Sequence, residues 1–152
     1  MRWVNLALGG ALVLALGLGA GYVLWGWPTN WYGRDLKLPR GEEGNLVQYG
    51  KQLILDTPHL IGKGAEDPAK RYAGNDLACV NCHLDAGLRP YAAPFVSTKA
   101  SFPMLINDEV ITLKERVNGC MRRSMNGKDL PPDSREMNAL LAYINFLGQG
   151  TP

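Results

Sequence analysis

Five consecutive residues, Cys79-Val80-Asn81-Cys82-His83, constrain this chain more than any other feature. Two thiols three residues apart share one turn of helix, and an imidazole follows at once. That spacing lets both sulfurs bond the two vinyl groups of a single haem while the next side chain comes to lie under the iron; C-x-x-C-H is the signature of that attachment. Other uses of paired thiols fit less well. A structural zinc site takes four ligands in most cases, and the whole chain has three cysteines and two histidines. A redox-active C-x-x-C would sit beside a βαβ pattern, and the sequence has no strand-like alternation of any length. The reading is one covalently attached haem c with its iron, bound through Cys79 and Cys82, with His83 as the proximal ligand.

The apolar residues are unevenly spread. From Trp3 to Gly33 no side chain carries a charge, and residues 4–27 are rich in Leu, Ala, Val and Gly. About 20 apolar residues cross a bilayer core, so the segment is long enough for one transmembrane helix. Arg2 precedes it, which favours a cytoplasmic amino terminus and export of the rest of the chain. Trp25, Trp27, Trp31 and Tyr32 at its far end have the character of an interfacial aromatic belt. A cleaved signal peptide is the rival reading, with Gly19 and Gly21 as its small-x-small site, although such a peptide has an apolar core of about 7–15 residues. Both readings export the remainder. Ala11, Ala15, Gly17, Gly19 and Gly21 have the spacing of helix–helix contacts in membranes, though small residues are common in such helices in any case. The expectation is a single-pass inner-membrane protein with its haem domain in the periplasm.

Residues 1–27 thus read as membrane anchor or signal segment, 28–44 as a linker rich in Pro and Gly, and 45–152 as the haem domain. Within that domain, Leu46, Tyr49, Leu53 and Ile54 stripe a helix from Asn45 to Leu55. Residues 58–71 read as loop and 90–103, with three prolines, as irregular chain. Thr112-Leu113-Lys114-Glu115 is a capping box that opens a helix running to Ser124. Asp133-Ser134-Arg135-Glu136 starts a last helix, in which Met137, Leu140, Leu141, Ile144 and Leu147 recur at helical spacing before Gly148. Sixteen basic against fourteen acidic side chains leave a net charge of +2, which argues against a nucleic-acid binder.

The sixth iron ligand has six candidates: Cys120, Met125, Met121, Met104, Met137 and His59. Met137 lies on the apolar stripe of the last helix and reads as core. His59 follows Pro58 in a polar loop and reads as surface. On a regular helix each residue turns about 100°, so Leu113, Val117 and Ser124 share the side of Cys120, and Arg116 and Arg123 lie within about 60° of it. Met125 points away unless the helix ends before it, which Gly127 allows. A lone cysteine can also be a small buried hydrophobe.

A short helix before the motif and an apolar helix at the C-terminus resemble the class I cytochrome c fold. That resemblance implies an all-α domain, following the N-terminal transmembrane helix, whose terminal helices cross at a contact of Gly50 with Tyr143 or Phe146. It also gives Met125 the usual axial position. A closer resemblance rests on the residues Gly74-Asn-Asp-Leu-Ala-Cys79-Val-Asn-Cys82-His83-Leu-Asp-Ala-Gly87, on those from Thr112 to Gly127, and on Ser134-Arg135-Glu136-Met137. From about Tyr49 to Leu147 the chain is similar to the catalytic haem domain of the thiosulfate dehydrogenase family, which is related to the Sox-type sulfur-oxidation cytochromes. The resemblance implies that the cysteine of the N-x-C-x-x-R-S segment, here Cys120, is the axial ligand paired with His83, with Met125 as the alternative. It further implies that Arg116 and Ser124 lie near the haem, where they would hold a sulfur oxyanion by charge-assisted hydrogen bonds. A thiolate ligand stabilises ferric iron, whereas methionine raises the potential.

Two features pull away from an enzyme. There is a single C-x-x-C-H, while the resembling enzymes use a second haem domain. Residues 104–110 are apolar and acidic where that family commonly carries basic side chains. The first expectation is therefore a membrane-anchored monohaem cytochrome passing single electrons to a redox partner protein. The second is thiosulfate dehydrogenase-like oxidation of a sulfur compound at the haem, and the third a haem subunit of a membrane redox complex. Lys114, Arg116, Arg122, Arg123 and Lys128 against Glu115 would attract either an anion or an acidic partner.

Overall fold

The computed structural model describes residues 36–149. The expected membrane anchor lies outside them; among the described residues no helix is long and apolar enough to cross a membrane.

Helix α1 spans Glu42–Leu55, starting three residues before the expected Asn45. Glu42 and Glu43 supply negative charge to its first turn, which suits the helix dipole but leaves no mark on hydrophobic periodicity. The stretch expected as loop carries a short helix α2, Thr57–Ile61, with Pro58 in its first turn, and a 3-10 turn at Pro68–Lys70. Proline at a helix start forfeits no hydrogen bond, so Pro58 opens a helix here. Helix α3, Leu113–Arg123, is closed at its start by the capping box: Glu115 N–H donates to Thr112 Oγ1 at 3.3 Å and Thr112 N–H to Glu115 Oε2 at 2.6 Å. Helix α4, Arg135–Leu147, is capped by Ser134 Oγ, which accepts from Met137 N–H at 3.1 Å.

The fold is mostly helical and not all-α. Strands β1 (Met104–Ile106) and β2 (Glu109–Ile111) pair antiparallel, with Leu105 opposite Val110 and Ile106 opposite Glu109. The turn residues Asn107 and Asp108 have φ of 50° and 64°. Two consecutive positive φ values match the twist of a hairpin, and Asn and Asp accept them more readily than other side-chain residues. Three-residue strands are too short for alternation to register.

Helices α1 and α4 cross to make the core. A Cβ at Gly50 would run into the Ala139 carbonyl and lie 2.8 Å from Tyr143 Cβ, so glycine is what lets the backbones approach. Leu53 and Met137 are fully buried at this contact region, each stabilising the fold by about 1.5–3 kcal/mol. Tyr143 then reaches past α1 and donates its hydroxyl to Ala86 O at 2.9 Å; burial pushes its pKa up to about 12. At the α4 start, the buried Glu136 carboxylate accepts from Tyr49 Oη and Lys70 Nζ, both at 3.1 Å. Burial opposes its charge, but the hydrogen bonds from its backbone, Lys70 and Tyr49 win and hold the carboxyl below its usual range.

Candidate haem site

The helices and the hairpin enclose a cavity of about 720 Å³, with Ile54, Leu140 and Ile144 of the crossing helices among its lining. That lies in the range of about 300–1,000 Å³ usual for ligand sites.

One wall carries Cys79, Cys82 and His83. Cys79–Asn81 is a 3-10 turn, closed by Ala78 N–H donating to Asn81 Oδ1 at 2.7 Å and His83 N–H to Cys79 O at 2.9 Å. The turn docks on α1 through Thr57, which is fully buried. Thr57 Oγ1 donates to Leu53 O at 2.7 Å and accepts from Cys79 N–H at 3.0 Å, while lying 3.4 Å from Cys79 Sγ. Burial pushes the Cys79 thiol up, with the Thr57 contact opposing it. No disulfide joins the three cysteines.

His83 is held by two contacts. Its Nδ1 lies 2.6 Å from Ala93 O, and its ring stacks on Phe95 with centroids 4.2 Å apart. A carbonyl only accepts, so Nδ1 carries the proton and Nε2 keeps its lone pair for a metal. The chain reaches this arrangement through left-handed backbone at Asp85, Ala86, Gly87 and Ala93. Gly87 N–H donates to His83 O at 2.9 Å and Phe95 N–H to Gly87 O at 2.8 Å, folding the segment back over the imidazole.

A second wall is built by α3 and the residues after it. Leu113, Val117, Cys120 and Ser124 all line the cavity, as the helical phase predicts. Met125 does so too, at 5% exposure, which corrects the direction expected on a continuous helix. The helix ends at Arg123, and Ser124 and Met125 both donate to Cys120 O, at 2.8 and 3.0 Å, as the chain leaves it. Gly74 and Asn75 N–H groups then grip Met125 O at 2.9 and 3.1 Å. A Cβ at Gly127 would strike the Tyr72 carbonyl, so this strap also needs glycine. Asn118 pins the following segment: its amide donates to Leu130 O at 3.0 Å and accepts from Leu130 N–H at 2.9 Å.

Every proposed site residue therefore lines one cavity: Cys79, Cys82, His83, Arg116, Cys120, Ser124 and Met125. Of the other ligand candidates, Met104 and Met121 also line it, Met137 is core and His59 is exposed. Thr57, Ala93 and Phe95 carry no motif and emerge only from the fold. The basic cluster divides by partner. Lys114 pairs with Asp133, Arg122 with Asp129, and Lys128 lies 5.4 Å over the Tyr72 ring. Arg116 and Arg123 line the cavity, and among the described residues neither has a carboxylate partner. Two free thiols, an imidazole with one open nitrogen, sulfur side chains on a second wall and apolar lining fit a covalently attached haem.

A mostly helical domain closing such a cavity over a C-x-x-C-H turn defines a c-type cytochrome domain, with covalently bound haem c and its iron. More narrowly, the chain belongs to the SoxA/TsdA family, whose cytochrome c domain matches residues 63–152. It is 38% identical over 117 residues to the thiosulfate dehydrogenase of Thiomonas intermedia, covering 76% of this chain and 35% of that protein. The thiosulfate dehydrogenase of Stutzerimonas stutzeri is 36% identical over 121 residues, covering 78% of this chain and 37% of that one. The chain thus spans roughly a third of the length of these relatives. Among solved structures, thiosulfate dehydrogenase TsdBA from Marichromatium purpuratum superposes with a TM-score of 0.69 at 32% identity, over 78% of this chain and 26% of that one.

Proposed function

We propose that this domain oxidises a sulfur compound at a single haem c, bound through Cys79 and Cys82 and ligated by His83 and Cys120. One observation carries the reading: Cys120 shares a cavity with the C-x-x-C-H residues and with two arginines that, among the described residues, have no carboxylate partner. Bound, the haem supplies a one-electron acceptor beside the substrate. The chain's own residues do the rest. Ala93 O holds the proton on His83 Nδ1. Arg116 and Ser124 bind and orient the sulfur oxyanion by charge-assisted hydrogen bonds. Both stand at the exposed mouth of the cavity, where an anion can enter from solvent. The relatives are named thiosulfate dehydrogenases, which supports thiosulfate as the first compound to test. Joining two thiosulfates through a sulfur–sulfur bond releases two electrons, taken up by two equivalents of a one-electron acceptor. Purified holoprotein should therefore reduce an artificial acceptor when given thiosulfate; no turnover with an intact haem would reject the enzyme reading.

The uncharged run from Trp3 to Gly33 favours a second reading at the level of the cell: an anchored cytochrome, its haem domain in the periplasm, passing single electrons to a redox partner protein or within a membrane complex. Detergent extraction followed by size analysis separates the lone anchored protein from a subunit of a complex.

A further inference from the structure

The rim of the cavity has two chemical sides. Arg116, Arg123 and Ser124 line the cavity and are solvent-exposed, so they stand at its mouth. The hairpin supplies the other side. Met104 and Ile106 project from one face of β1 and line the cavity, while Leu105 between them is 69% exposed. Glu109 is the cross-strand partner of Ile106 and shares its face, with no cation paired to it among the described residues. The deep lining, including Ile54, Ile61 and Ile144, is buried and suits the flat apolar cofactor. The rim residues remain for a second ligand.

A dianion would be drawn to the arginines, but it would lose solvation against Met104 and Ile106, and the Glu109 carboxylate, on the same hairpin face though outside the cavity lining, would repel it from nearby. A ligand with one negative charge and a hydrocarbon group meets both sides of the rim. We propose that the rim selects an organic thiosulfonate, R–SO₂–S⁻, over inorganic thiosulfate: the anionic sulfur head pairs with Arg116 and Arg123, and R packs on Met104 and Ile106. Such a molecule is thiosulfate with one charged oxygen exchanged for carbon. This rests on the sulfur-oxidising reading and narrows its substrate class.

The test is calorimetric titration of the ferrous holoprotein, in which no oxidant is present and binding alone is read, with benzenethiosulfonate and thiosulfate as probes. The expected result is that benzenethiosulfonate binds at least tenfold tighter. Ile106→Arg should remove or reverse that preference, and Arg116→Gln, with its haem spectrum intact, should weaken both ligands at least tenfold. Thiosulfate binding as tightly as benzenethiosulfonate would overturn this specificity and leave sulfur oxidation standing. Absence of binding by either probe would reject the anion site on which that wider reading depends. Unchanged binding in Arg116→Gln would show that this arginine does not hold the anion and overturn the proposal.

Discussion

His83 and Cys120 reach the cavity by unlike local devices, and the difference decides what could be foreseen. The imidazole follows a five-residue motif whose chemistry is written in its spacing. Its orientation, however, depends on Ala93 O and Phe95, ten and twelve residues downstream in a stretch that reads only as irregular. Left-handed backbone at alanine and aspartate has no sequence signal of its own, so that support was hidden. Cys120 was legible through helical phase, because α3 is regular to Arg123. Met125 was misdirected because phase fails where a helix stops. Asn118, two residues before Cys120, has a structural role, since it satisfies both backbone groups of the fully buried Leu130. Asn118→Ala strands those groups, and an unsatisfied buried group costs about 1–3 kcal/mol. The denaturation midpoint of the holoprotein should fall accordingly, and Asn118→Asp, which keeps the acceptor but sets a carboxylate oxygen against the Leu130 carbonyl, should lower it as well.

Among elements, the crossing of α1 and α4 sets the frame for the cavity. The small–aromatic contact expected from resemblance is present as Gly50 against Tyr143, with Ala139 on the other side. Gly50→Ala must push the helices apart; overpacking of this kind costs about 1–3 kcal/mol, readable as a lower thermal midpoint. Glu136 gives the same crossing a pH dependence. Its carboxyl is held below the usual range, so its stabilisation is complete above about pH 4.3 and is lost as pH falls through the folded value. Glu136→Gln should lower the midpoint near neutrality and flatten the decline in acid. The capping box of α3, the Ser134 cap of α4 and the apolar stripe of α4 made both helices readable almost to the residue. The hairpin escaped because its strands are three residues long, and its Asn107-Asp108 turn was the one local signal available.

At the scale of the whole molecule, the chain is a c-type haem domain of the SoxA/TsdA family, for which we propose one haem, export and an electron partner. One C-x-x-C-H predicts that the mass of the holoprotein exceeds that of the chain by one haem. Two would contradict the monohaem assignment. The family and the cofactor were legible because both rest on short, chemically demanding motifs. The substrate was not, because it depends on which arginines lack partners and on what the hairpin turns toward the cavity. Spectroscopy of the ferric holoprotein beside Cys120→Gly and Met125→Ala decides the ligand pair. With His83 and Cys120 as the ligands, Cys120→Gly should abolish the low-spin thiolate signature. Met125→Ala should preserve that signature while lowering stability by about 2–5 kcal/mol as a buried methionine lost from the core. An unchanged spectrum in Cys120→Gly, together with loss of the low-spin signature in Met125→Ala, would contradict that pair.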